Sequence, residues 1–239
     1  MPFVASILSE KLVSRVAGEA QDTIHYLKIQ SNGFQIQKKS GESPFLLSRE
    51  MLDLEFTLPH AHVDHEKEAI RILAYSLCAR LPLQQLSVLS FFRLHNVDWH
   101  GSDRTTALGR AWHELLAAAR HAETLEFVKF TNPVAEGVLA LLHSCNVDVN
   151  EDENLSHRAQ LHLPNVKRLS LSCLDFTHGQ GFAWTVRDAL QTRISLDGPQ
   201  ARIEEVVLAT CSNVDIKAVK VLEDTPVRVV WDSRDRISP

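Results

Sequence analysis

His60-Ala61-His62, with His65 three residues further on, is the arrangement in this chain that comes nearest to chemistry. Metal-dependent hydrolases place such a pair at the C-terminal end of a strand, where the ion lowers the pKa of a bound water. A strand is expected over Leu52–Phe56, so the pair stands where such a site would begin. No later strand end supplies a matching carboxylate or histidine set, and about six expected strands fall short of an eight-stranded barrel. With 12 histidines in the chain a close pair also arises easily by chance. A solvated loop is the expected reading, and a hydrolase built on His60, His62 and His65 is the alternative.

Asp148-x-Asn150-x-Asp152 opens like a calcium loop, but Glu153 occupies the position where glycine makes the sharp turn and Ala159 that of the bidentate glutamate. Cys78, Cys145, Cys173 and Cys211 are too widely spaced for a metal knuckle or a dense disulfide framework. Cys211 has no neighbour in sequence that would depress its pKa, so a buried turn residue is expected there and not a nucleophile. No nucleophile elbow, P-loop or dinucleotide-binding glycine pattern occurs, and the chain holds only 9 glycines. The expectation is a protein that is not an enzyme and that uses no cofactor or metal.

Composition narrows the partners. A hydrophobic fraction of 44% supports a continuous core, and 25 Lys plus Arg against 30 Asp plus Glu leave a net charge of -5 with the signs interspersed. Nucleic acid and anionic membranes need a basic excess, so neither is an expected partner. The first residues, MPFVASILSEKLVSR, lack a basic leader, and no run approaches the length of a membrane span. Free thiols and these absences together predict a cytoplasmic or nuclear protein.

The elements that would position any site form a repeat. Leu83-x-x-Leu86-x-Val88, Ala122-x-x-Leu125-x-Phe127, Val166-x-x-Leu169-x-Leu171 and Ile203-x-x-Val206-x-Leu208 share one apolar frame, and Leu52-x-Leu54-x-Phe56 shares its alternation. These segments recur roughly every 30 to 45 residues. Between them lie helical stripes: Ile70, Leu73, Ala74 and Leu77; Leu108, Trp112, Leu115 and Leu116; Val134, Val138, Leu141 and Leu142 behind Asn132-Pro133; Phe182, Val186, Ala189 and Leu190; and Ile216, Val219 and Leu222. Strand and helix in alternation predict parallel strands joined by crossovers. A sheet covered on both faces would have near-continuous apolar strands. Here polar residues interleave, as with Arg168, Ser170 and Ser172 around Leu169 and Leu171, so one face is expected to be wet and an open solenoid is favoured over a closed sheet.

This frame resembles a leucine-rich repeat, most closely at Ile203-x-x-Val206-x-Leu208-x-x-Cys211, followed by Asn213-Val214. The Asn/Cys position of the other units is Phe91, Phe130 and Leu174, and the repeats are longer than is usual for that family. From Leu52 to Val227-Arg228-Val229-Val230-Trp231-Asp232 the layout is similar to the C-terminal repeat region of fungal F-box proteins. That resemblance implies a horseshoe with parallel strands on the inner face and helices outside, and a role in choosing substrates for a ubiquitin ligase. No F-box-like segment is found before Leu52; residues 1–20 are expected to form one amphipathic helix through Val4, Ile7, Leu8, Leu12 and Val16.

One α/β domain over 1–239 is therefore expected. Residues 1–50 supply a helix and a hairpin cap, the hairpin over Thr23–Gln37 turning at Ser31-Asn32-Gly33, and residues 51–232 form about five irregular repeats. Residues 148–160 are expected to be a polar loop, and Trp231 the apolar end of a last strand. Because side chains alternate along a strand, the expected partner-binding ladder is Asp53, Glu55 and Thr57; Gln85, Ser87 and Leu89; Thr124, Glu126 and Val128; Arg168, Ser170 and Ser172; and Glu205 and Val207. Its acidic early rungs predict a protein partner with a basic segment. A regulatory fragment that competes with longer relatives is a further alternative.

Overall fold

Apolar and polar residues alternate over Thr23–Gln30 and again over Gly33–Lys39, and each of these stretches is a strand. The computed structural model describes residues 23–30, 33–39, 51–55, 72, 74–93, 106–129, 145–146, 160–161, 163–176, 180–197 and 202–232. The main strands are β1 (Thr23–Gln30), β2 (Gly33–Lys39), β3 (Met51–Glu55), β4 (Val88–Phe92), β5 (Thr124–Val128), β8 (Arg168–Ser172), β9 (Glu205–Ala209) and β10 (Arg228–Trp231); β6 (Cys145–Asn146) and β7 (Gln160–Leu161) form a separate two-residue ladder. Three helices are α1 (Ala107–Ala118), α2 (Gln180–Asp197) and α3 (Ile216–Glu223), and residues 74–79 are also helical.

The protein is α/β, with one eight-stranded sheet in the order β10-β9-β8-β5-β4-β1-β2-β3. Every pair from β10 to β1 is parallel, and β1-β2 and β2-β3 are antiparallel. The order corrects one expectation: the 51–55 strand does not open the repeats beside β4. The hairpin lies between them, with β1 as the first parallel strand and β3 at the sheet's edge. Gln30 pairs with Gly33 as the last pair of the β1-β2 ladder. A bulge at His25 keeps Ile24, Leu27 and Ile29 all facing the core and turns the His25 carbonyl toward Ser87, whose amide and hydroxyl both donate to it at 3.0 and 2.8 Å.

One face of the sheet is the core. Leu27, Leu89, Leu125, Leu169 and Val206 form one buried row across five strands, and Ile29, Phe91, Phe127, Leu171 and Leu208 the next. Trp112 of α1 packs on Phe91 at 5.1 Å and on Tyr75 at 5.3 Å, and Phe182 of α2 meets Phe176 edge-on at 5.0 Å. Thr106 caps α1 by accepting from the Gly109 N–H at 2.9 Å, and Asp215 caps α3 from the Ala218 N–H at 2.6 Å. Within α2, buried Arg193 donates to the Leu163 carbonyl in the turn before β8. The expected stripes of α1 and α2 are buried apart from half-buried Leu108, whereas Ile216 of α3 is 65% exposed, because Ala218, Val221 and Leu222 make the buried face.

The register overturns the frame expected for the second unit. Leu89 and Phe91 occupy the places of Leu125 and Phe127, so the equivalent segment is Leu86-x-x-Leu89-x-Phe91 and not Leu83-x-x-Leu86-x-Val88. The slip has a physical cause. A buried residue also anchors the turn three places before each frame, Leu83, Ala119 and Leu163, with the N–H of Leu86, Ala122 and Val166 donating back to it. An x-x spacing therefore fits twice. A shift of three reverses which side chains face the core.

Each of four consecutive parallel strands is followed by a residue in the left-handed region: Arg93 (φ 50°), Lys129 (φ 59°), Cys173 (φ 55°) and Thr210 (φ 51°). For residues other than glycine this costs about 1–2 kcal/mol each. The first three direct their N–H to the last carbonyl of the next strand, at Val128, Ser172 and Ala209, over 2.9–3.0 Å. At Thr210 the acceptor is the Asp232 carboxylate, 2.7 Å away. No helix among the described residues is long and apolar enough to cross a membrane.

Candidate functional site

The other face of the sheet carries no helix among the described residues, and three rows of side chains run across it. Tyr26, Val88, Thr124, Arg168, Glu205 and Arg228 are in register, then Lys28, Ser90, Glu126, Ser170, Val207 and Val230, then Gln30, Phe92, Val128, Ser172 and Ala209. Most are half-buried or exposed. The expected residues Thr124, Glu126, Val128, Arg168, Ser170, Ser172, Glu205 and Val207 all stand here. Backbone pairing puts Asp53 in line with Gln35 and Lys28, and Glu55 in line with Gly33 and Gln30, at the far edge of the sheet.

The second unit's residues are corrected. Leu89 is fully buried in the core, Ser87 is held by the His25 carbonyl, and Gln85 lies in the exposed turn before β4. Val88, Ser90 and Phe92 take their places. Thr57, the His60, His62 and His65 group, Asp148–Asp152, the 1–20 helix and the Val134–Leu142 stripe lie outside the described residues. Among the described residues no group of histidine, cysteine, aspartate or glutamate could hold a metal ion.

Charge is unevenly distributed along the face. Toward β10, Glu205 sits between two arginines: Arg168 Nε is 2.8 Å from Oε2, and Arg228 donates to Oε1. Glu205 is 9% exposed, so its charge is spent within the sheet and cannot also hold a partner, whereas the two guanidinium groups remain open to solvent. Toward β1, burial raises the pKa of the Tyr26 hydroxyl, the nearby Ser90 side chain opposes this, and the Glu126 charge adds to the rise, so the Tyr26 hydroxyl stays neutral.

At the carboxyl ends of β1, β4 and β5, half-buried Phe92 is surrounded by cations. Lys28 Nζ lies 4.0 Å from the ring centroid, with the guanidinium of Arg93 at 5.1 Å and Lys129 Nζ at 5.9 Å. None of Tyr26, Lys28, Phe92, Arg93, Lys129 and Arg228 is among the ladder residues expected from sequence. For the first two the signal was present in the alternation of IHYLKIQ, once the hairpin is placed inside the sheet; the others depend on strand register and on the left-handed turn.

Two thiols follow strand ends, one buried and one exposed. Cys211 is the buried turn residue expected, donating from Sγ to the Leu171 carbonyl at 3.2 Å, and burial pushes its pKa up to about 11. Cys173 is exposed, its Sγ 3.1 Å from Thr210 Oγ1. Comparison with protein-family models, curated proteins and solved structures gave no match at the threshold applied.

Proposed function

We propose that the chain is a protein-recognition module of leucine-rich-repeat type, an open solenoid that holds a partner protein against the exposed face of its sheet. The observation that carries this is the sheet face that no helix covers among the described residues. Half-buried Val88, Phe92, Val128 and Val207 alternate there with Tyr26, Glu126, Arg168 and Arg228, the mixture of apolar and polar groups that desolvates on binding and still fixes orientation. Two features support the solenoid. From β4 to β10 the main-sheet strands follow one another across the sheet without reversal, and each of four successive strand ends turns through a left-handed residue at the same register. The resemblance to F-box repeat regions extends the proposal to substrate choice for a ubiquitin ligase.

The test is obstruction. Ser170→Trp and Val207→Arg fill the middle of the face, and Glu114→Arg and Glu223→Arg alter exposed positions of α1 and α3. All four variants should fold. Partner capture from the source cell should fall at least tenfold for the first two only; equal capture by all four would contradict the proposal.

A further inference from the structure

The Phe92 end of the face differs from the rest in having cations with no ion-pair partner among the described residues. Arg168 and Arg228 share Glu205, whereas no ion pair among the described residues involves Lys28, Arg93 or Lys129. Three like charges repel, and the ring they surround offsets only part of that cost, since each cation–π contact at an exposed site is weak. An anion among them would relieve it.

The backbones that carry these cations are also held in place. Arg93 and Lys129 occupy left-handed turn positions whose N–H groups donate to Val128 and Ser172, and Lys28 donates to Gln35 Oε1 at 3.3 Å while lying over the ring. The sheet and turns fix the backbones from which the cations extend, so what a ligand must still order is side-chain freedom. Phe92 stands at the carboxyl end of β4, next to β1, so the carboxyl ends of three adjacent parallel strands, β1, β4 and β5, bring Lys28, Phe92, Arg93 and Lys129 together.

We propose that this end of the face takes an acidic segment of the partner protein, with carboxylates among Lys28, Arg93 and Lys129 and an apolar side chain against Phe92 and Val128. The inference rests on the recognition reading above and reverses the basic partner expected from Asp53, Glu55 and Glu126. Charge complementarity selects the occupant. Nucleic acid fits less well: Glu126 stands in the same row as Lys28, and the chain carries a net charge of -5.

A random-peptide display library selected on the full chain tests this. Alongside the wild type stand the double variant Arg93→Asn, Lys129→Asn and the obstructing variant Ser170→Trp, with labelled oligothymidylate as a separate probe. Asparagine tolerates the left-handed region, so the double variant keeps its fold and loses only charge. The expected result is a pool rich in Asp and Glu interspersed with apolar residues, whose binding weakens about tenfold in the double variant, the effect of losing two exposed ion pairs. A pool without acidic bias, or acidic peptides that bind the double variant equally well, would overturn the inference and leave face recognition intact. Peptides indifferent to Ser170→Trp would remove both. Oligothymidylate binding more tightly than the peptides would assign the cations to nucleic acid and overturn the inference.

Discussion

Leu89→Ala tests the strand register on which every assignment to the two faces depends. Leu89 is fully buried at the centre of β4, paired on one side with Leu27 and on the other with Leu125, both also fully buried. Strands on both sides leave little room for collapse around the lost atoms. Truncation removes the transfer energy of the side chain and leaves a cavity, together about 3–4 kcal/mol. Its neighbour Val88 is half-buried on the other face, and Val88→Ala should cost less than about 1 kcal/mol. Urea denaturation followed by far-UV circular dichroism reads the difference: with a slope near 3 kcal/mol per molar, Leu89→Ala lowers the midpoint by about 1 M or more, and Val88→Ala by about a third of that or less. If Val88→Ala proved the costlier change, the register would be wrong by an odd number of residues. Every residue assigned to the recognition face would then belong to the core.

Three further outcomes follow from the same geometry. Thr106→Ala and Asp215→Ala each remove the acceptor for a helix-capping N–H and should cost about 1 kcal/mol in the same assay. Among Cys78, Cys173 and Cys211, alkylation of the native protein near pH 8 should modify Cys173 first, since the other two are buried. The Cys211 thiol keeps its proton in the fold up to about 11 but loses it near 9.0 once unfolded. The folded state therefore binds more protons between those values, and stability should fall as pH rises through that window by up to about 2–3 kcal/mol. Cys78, raised in the same direction by burial, adds to the loss, and Cys211→Ala should remove the Cys211 share.

The strands of the later units were legible because each has a clean alternation, and where a turn anchor offers a shifted frame it would end on polar Thr124 or Arg168, whereas in the second unit it ends on apolar Val88. Leu125 and Phe127, Leu169 and Leu171, and Val206 and Leu208 are all buried as read from sequence. The second unit was not legible, because Leu83 repeats the spacing of Leu86 and nothing local separates a turn anchor from a strand residue. Sheet order lay further out of reach. The Thr23–Gln37 hairpin was recognised, but its insertion between β3 and β4 depends on a parallel pairing of Leu27 with Leu89, distant in sequence. That insertion brings Lys28 to Phe92. The left-handed residues were equally hidden, since Arg93, Lys129, Cys173 and Thr210 are not types that announce a positive φ. Asp232, read as part of a strand end, instead caps the Thr210 N–H through its carboxylate.

Site-directed photocrosslinking tests the central claim most directly. A benzophenone side chain introduced at Ser172 projects from the exposed sheet face, and one at Glu114 projects from α1 on the side of the sheet that carries the helices. The account predicts that irradiation in the source cell joins a partner protein to the Ser172 position and not to Glu114. Crosslinking at Glu114 alone would contradict it.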